Sequence, residues 1–250
     1  MRRQLVLTVL LSTLCATPAL AGWADVLDKV QSQVPASSGS TASTNSAAGL
    51  SEGEIGKGLK EALAVGTKKA VTSLGQQDGY FGNQAVRILL PDSIKKLEAP
   101  LRMAGQGQLI DDLILTMNRA AEKAVPESAS ILADAVKAMT VQDAKGILTG
   151  PQDAATQYFR KTSGEKITAQ MMPIVAKATE SAGVTKAYKR LTANPLASSL
   201  AQAYGADVDR YVTGEAVNGL FTMIAEEEKG IRTNPVERTT DILKKVFGSK

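Results

Sequence analysis

The chain has 250 residues, with 29 basic and 25 acidic side chains, no histidine and a single cysteine. Without histidine there is no Ser-His-Asp triad, and with only one cysteine the usual ligand sets of zinc, copper and haem sites are also excluded. Basic and acidic residues are interleaved along the sequence, so we expect no nucleic-acid partner.

Residues 1–21 have the pattern of a cleavable secretory signal peptide. Two arginines open the segment, an apolar stretch occupies residues 5–14, and a small-x-small cleavage site ends at Ala21. We therefore expect export to the periplasm, with cleavage after Ala21 and a nearly neutral remainder. Cys15 lies in the leader and follows Leu14, where a lipoprotein signal has a small residue. We expect neither disulfides nor a lipid anchor.

After the leader, the composition separates a short segment, a linker and one domain. Residues 22–34 favour a short amphipathic helix, whose apolar face consists of Trp23, Val26, Leu27 and Val30. Residues 35–49 are rich in Ser, Thr, Ala and Gly, which is typical of a flexible linker. Residues 50–250 are expected to form a single helical domain. No later segment reaches the roughly 20 apolar residues of a transmembrane helix.

Apolar residues recur at helical spacing through the first half of this domain. Ser51 and Glu54 form a capping-box pattern that opens a helix, and Thr140 with Asp143 resembles a second cap. A glycine-rich loop is predicted at residues 75–83. A short extended segment is plausible just before Pro91. The helices that follow are predicted over about residues 92–105, 106–125, 126–139 and 140–150.

The second half continues the same pattern after Gly150-Pro151. Thr162 with Glu165 predicts a new helix start, and Pro173 predicts another start or a kink. Asn194-Pro195 indicates a turn, Asp207 a cap for a long helix ending at Gly230, and Asn234-Pro235 the last helix. The fold class is therefore all-α, with about nine helices. The abundance of alanine favours a compact orthogonal or bundle-like domain.

Several segments resemble an uncharacterised family of bacterial, signal-peptide-bearing, all-helical proteins that is known only as a domain of unknown function. They occur in order through most of the domain: GLKEAL (58–63), DGYFGN (78–83), VRILLP (86–91), NRAAEKAVP (118–126), MTVQDAKGILTG (139–150), ATQYF (155–159), YVTGEAVNGLF (211–221) and EEEKGIRTNP (226–235). The resemblance implies a helical protein of the cell envelope. It implies no activity and no catalytic residue.

Two catalytic alternatives remain without histidine. Ser93-x-x-Lys96 and Ser163-x-x-Lys166 match the Ser-x-x-Lys pattern of penicillin-binding chemistry, without its companion motifs. Two carboxylates could serve a glycoside hydrolase, and the candidates are Asp111, Asp112, Glu122, Asp143, Glu215 and Glu226 to Glu228. Helix caps and solvated helix ends explain these groups better, so we predict no catalytic residue.

Oxygen ligands alone could still hold a calcium or magnesium ion. The best match to a calcium loop starts at Asp207 and Asp209, and it fails at three ligand or turn positions. A helix cap explains these two residues better, and no metal site or cofactor is predicted.

Polar residues on the predicted helices suggest either a binding site or buried ion pairs. Arg119, if buried, needs a carboxylate partner such as Glu122. Gly214 and Gly219 lie inside a predicted helix, where glycine is costly, and indicate the close approach of another helix or of a small molecule. The candidate binding or buried polar cluster comprises Asn118, Arg119, Glu122, Asp143, Tyr158, Glu215 and Arg232.

These observations favour a periplasmic, non-enzymatic protein that binds an envelope protein, a peptide or a lipid-like ligand. A hydrolase based on carboxylates or a Ser-Lys pair is the first alternative. The second is a membrane-surface protein that uses residues 22–34 as a foot, although Asp25, Asp28 and Lys29 give this segment a net negative charge.

Overall fold

The fold is taken from a computed structural model that describes residues 52–182 and 208–233, together with residues 190 and 193. All of them belong to one compact unit. Several sequence predictions fall outside the described residues: the leader, the helix at 22–34, the linker, Ser51 as a cap, the turn at 194–195, Asp207 as a cap and the last helix.

The described residues form α-helices and one 3-10 turn, with no β-strand among them. In chain order the helices are α1 Glu52–Leu74, α2 Asp92–Lys95, α3 Glu98–Met103, α4 Gly107–Ala124, α5 Ser128–Ala138, α6 Val141–Thr149, α7 Ala154–Ala182 and α8 Val208–Thr233, and the 3-10 turn is Val125–Glu127. This confirms the all-α class. The predicted number of about nine helices is wrong, since the structure has six substantial helices (α1 and α4 to α8) and two short ones in the part described.

Helix α7 shows why the count was too high. It runs without a break through both predicted starts, Thr162 and Pro173. The Thr162 hydroxyl donates to the carbonyl of Tyr158, one turn earlier, instead of capping a new helix. Pro173 lacks the N–H that would bond the carbonyl of Ala169, and both residues are exposed, so water can solvate that carbonyl. The helix is held by a continuous buried stripe through Phe159, Ile167, Met171 and Val175.

Two other predicted boundaries also moved. The single helix expected over residues 92–105 is split into α2 and α3, and Pro100 lies in the first turn of α3, where its missing N–H costs least. Helix α8 continues past Gly230 to Thr233. The capping box at Thr140 and Asp143 is present as predicted and opens α6.

Helix α7 is at the centre of the packing. It contacts α4, α5, α6 and α8, while α1 packs against α5, α6 and α8. Alanines at several contacts are fully buried, which lets the helices approach closely. The aromatic side chains of the core are Tyr80, Phe159 and Phe221. Residues 75–91, between α1 and α2, form an irregular connection.

Candidate functional site

Asn118 belongs to the predicted polar cluster and has a structural role. Its amide lies on α4 and is fully buried. The Asn118 Oδ1 accepts from the Ile88 N–H at 2.9 Å, and its Nδ2 donates to the Ile88 carbonyl at 2.8 Å. The side chain thus satisfies both backbone groups of Ile88, which lies in a stretch, residues 87–91, that belongs to no helix or strand.

Arg119, the next residue of α4, and Glu122, one turn beyond Asn118, fix the same connection. One Glu122 oxygen accepts from the backbone N–H groups of Tyr80 and Phe81, at 3.2 and 3.1 Å. Its other oxygen pairs with Arg119 Nη1 at 2.6 Å, and Arg119 Nη2 reaches Asp78 at 2.7 Å. Glu122 is 5% exposed, so this carboxylate is a buried anion balanced by two amides and a guanidinium.

Arg232 takes part in a second arrangement of this kind, in which a buried carboxylate joins an arginine to two backbone amides. We call each of these two arrangements a clamp. Glu228, 4% exposed, accepts from the N–H groups of Ala155 and Thr156 at the start of α7, at 3.0 and 2.9 Å. Arg232 Nη2 lies 2.8 Å from the same carboxylate and also donates to the Ile147 carbonyl at 2.8 Å. An acid from α8 therefore caps α7, where a negative charge is favoured by the helix dipole.

The remaining predicted residues lie elsewhere. Asp143 is in the α6 capping box, and its hydrogen bonds from Thr140 lower the pKa of its carboxyl group. Burial raises the pKa of Tyr158, and the charge of Asp143 adds to this. Glu215 lies on α8, where its charge, after burial, helps raise the pKa of Tyr211 to about 12. The seven residues therefore do not form one cluster.

The groups considered for catalysis differ in exposure or are engaged by other side chains. Ser163 is buried on α7 while Lys166, one turn later, is exposed. The side chain of Ser93 is outside the described part. Asp111 pairs with Arg102 and Asp112 accepts from Gln108. Glu227 pairs with Lys69.

A feature that the sequence prediction missed is an open groove of about 780 Å³ between α7 and α8. Its walls are largely apolar because α7 contributes Ala169, Met172 and Pro173, and α8 contributes Val217 and Phe221.

Glycines keep this groove wide. A Cβ atom added at Gly214 on α8 would meet nothing within 4 Å, and one at Gly164 on α7 would make only ordinary contacts. Gly219 differs, since a Cβ there would lie 2.7 Å from the ring of Tyr80. The close approach of another helix that was predicted at both glycines is therefore not seen among the described residues: at Gly219 a loop residue, Tyr80, approaches instead, and at Gly214 no described residue does. The alternative of a small molecule at these glycines stays a prediction.

Arg160 stands at one end of the groove. Its guanidinium lies 4.6 Å from the centre of the Phe221 ring, and its Nη1 donates to Asn218 Oδ1 at 3.2 Å. Beyond it lies a smaller recess of about 360 Å³ with polar walls, which include Gln157, Thr222 and Lys229. Arg160 and Phe221 line both spaces, and polar and charged side chains are more frequent in the lining beyond this arginine.

Among the described helices, none combines the length and the hydropathy needed to cross a bilayer, and no group of three or more acidic residues in that part could hold a metal ion.

Comparisons with known proteins give a family and no activity. No curated protein and no solved structure gives a significant match. Residues 49–248 match the model of a family described as protein of unknown function (DUF4197), and the chain therefore belongs to that family.

Proposed function

We propose that the protein is exported and acts in the cell envelope as a non-enzymatic binding protein, with the groove between α7 and α8 as its binding surface. The observation that carries this proposal is the groove itself. Its volume lies within the range of about 300–1,000 Å³ that is typical of ligand pockets, and its walls combine apolar side chains with a few polar groups at one end.

The contacts of the two buried carboxylates support the non-enzymatic part of the proposal. The buried carboxylates, Glu122 and Glu228, are each engaged with an arginine and two backbone amides. Every buried side-chain polar atom of the described residues has a hydrogen-bond partner, so these groups serve the fold. The leader pattern of residues 1–21 supports export.

A neutral, environment-sensitive dye such as Nile red tests the groove. We expect its fluorescence to rise on binding the protein and this rise to be lost in Ala169→Trp, because Ala169 is exposed on the groove wall and an indole there would fill the space. Ala99→Trp is the matched control, since Ala99 is an exposed alanine on α3 outside the groove. Equal dye binding by both variants would contradict the proposal.

Export is tested separately by fractionating cells that express the full chain. We expect the protein in the periplasmic fraction, with a mass that corresponds to a start at Gly22. A version with Arg2 and Arg3 replaced by Glu should be retained uncleaved. An uncleaved full chain in the cytoplasmic fraction would refute this part of the proposal.

A further inference from the structure

Arg160 has different contacts from the three arginines that form ion pairs in the described part of the chain. Arg102, Arg119 and Arg232 each contact a carboxylate within about hydrogen-bonding distance. Arg160 contacts an aromatic face and a neutral amide, and no carboxylate among the described residues. A guanidinium has five N–H donors, and the contact with Asn218 uses one of them. Its charge is thus available to an anion that enters the groove.

The surroundings of Arg160 favour a particular kind of anion. The groove has a single acid in its lining, Glu165, and the recess beyond Arg160 is lined by Asp153, Glu226 and Lys229. Three carboxylates near one guanidinium and one ammonium oppose the entry of a doubly charged phosphate more strongly than that of a single charge. The planar fork of the guanidinium matches a carboxylate through two parallel hydrogen bonds.

From this geometry we infer that the ligand is a single-chain anionic amphiphile, a long-chain fatty acid, which rests on the proposed function of the groove. Its carboxylate pairs with Arg160, above the ring of Phe221. Its alkyl chain lies along the apolar walls, past Ala169 and Met172 towards Pro173. The space in front of Gly214 accommodates the chain, because no side chain of the described residues fills it.

The test compares two ligands of equal chain length in the full chain, dodecanoate and 1-dodecanol, by displacement of Nile red below their aggregation limits. An ion pair between exposed groups contributes up to about 1 kcal/mol, and Arg160 is exposed, so we expect dodecanoate to bind about three- to fivefold more tightly than the alcohol. In Arg160→Gln this preference should disappear while the affinity for the alcohol stays the same. Arg87→Gln is the matched control, because Arg87 is exposed and stacks on Phe81 at 4.3 Å outside the groove.

The outcomes separate the inference from the proposed function. If the dye binds in the groove but both ligands compete equally, or Arg160→Gln leaves the preference unchanged, the groove remains a binding site and the fatty-acid inference is overturned. A tighter competition by dodecyl phosphate than by dodecanoate overturns it as well. The same holds if a peptide of residues 22–34 displaces the dye and dodecanoate does not. If the dye itself is insensitive to Ala169→Trp, the proposed function fails first.

Discussion

Two glycines of α8 provide a matched test of how the connection between α1 and α2 packs on this helix. Both Gly214 and Gly219 lie in the interior of α8. Alanine in place of an interior helical glycine stabilises a helix by about 1 kcal/mol. At Gly214 the added Cβ would meet no atom within 4 Å, so Gly214→Ala should show this gain in full.

At Gly219 the added Cβ would lie 2.7 Å from Tyr80 Cε1 and 3.2 Å from Val86 Cβ. The Tyr80 ring is fully buried and its hydroxyl donates to the Ala216 carbonyl at 2.7 Å, so the ring has no room to turn aside. Overpacking of this kind costs about 1–3 kcal/mol, against the gain of about 1 kcal/mol from helix propensity. We therefore expect Gly219→Ala to lie about 1–3 kcal/mol below Gly214→Ala in free energy of unfolding.

Urea unfolding followed by circular dichroism measures both variants, and a Tyr80→Leu background identifies the contact responsible. With the ring removed, Gly219→Ala should become neutral or stabilising, which appears as a coupling energy between the two positions. Tyr80→Leu alone is destabilising, so only the effect of the second substitution is compared. If Gly219→Ala stabilised the wild-type protein as much as Gly214→Ala does, the packing of Tyr80 on α8 would be refuted.

Three further predictions concern the polar contacts. Asn118→Ala leaves the N–H and carbonyl of Ile88 unpaired, at about 1–3 kcal/mol each, so urea unfolding should show a loss of at least about 2 kcal/mol and the Ile88 amide should exchange faster; unchanged exchange would contradict this pairing. Glu228→Gln removes the buried charge that pairs with Arg232 and caps α7, and should cost about 3 kcal/mol by the same measurement. The loss should be smaller in an Arg232→Met background, and equal losses in the two backgrounds would argue against the ion pair. The lowered pKa of Asp143 means that its charged form stabilises the fold above its unfolded pKa and that this stability is lost as the pH falls through the folded pKa. Asp143→Asn should therefore lower the free energy of unfolding at neutral pH and converge with wild type in acid, and a constant difference across that range would contradict the assignment.

How far the sequence predicts the structure depends on how many residues separate two interacting groups along the chain. The capping box of Thr140 and Asp143 is a local pattern and was predicted. The same pattern at Thr162 and Glu165 gave a wrong helix start, because the buried stripe of α7 continues through it. Local signals of equal strength are therefore decided by the tertiary contacts around them.

The two clamps were only half predictable. Arg119 and Glu122 are one helical turn apart, and their pairing follows from that spacing. The backbone N–H groups that donate to Glu122 and Glu228 lie 41 to 73 residues away along the chain, so no local pattern identifies them. The sequence accordingly suggested that these polar residues were special, without showing that their partners are loop and helix-start amides.

The groove was harder still to anticipate, because it depends on how α7 and α8 lie against each other. Arg160 carries no local signal, since an exposed arginine on a helix is ordinary. The clearest sequence signal was Gly214, a glycine inside a helix, and it was interpreted together with Gly219 as a mark of the close approach of another helix or of a small molecule. The structure separates the two, because Gly219 faces the ring of Tyr80 while Gly214 faces no atom of the described residues.

This difference bears on function because glycine at position 214 lowers the stability of α8 relative to alanine. A residue kept for stability should lose stability when replaced, as we expect at Gly219. At Gly214 the fold would gain about 1 kcal/mol from alanine, so packing against the part of the chain that the structure describes gives no reason for glycine there. If the groove binds a ligand, Gly214→Ala should raise the free energy of unfolding and weaken Nile red binding together, which is the trade-off expected where a binding surface constrains a residue. A variant that is more stable and binds the dye as well as wild type would remove Gly214 from the site, and would leave Arg160 and the apolar walls to account for binding.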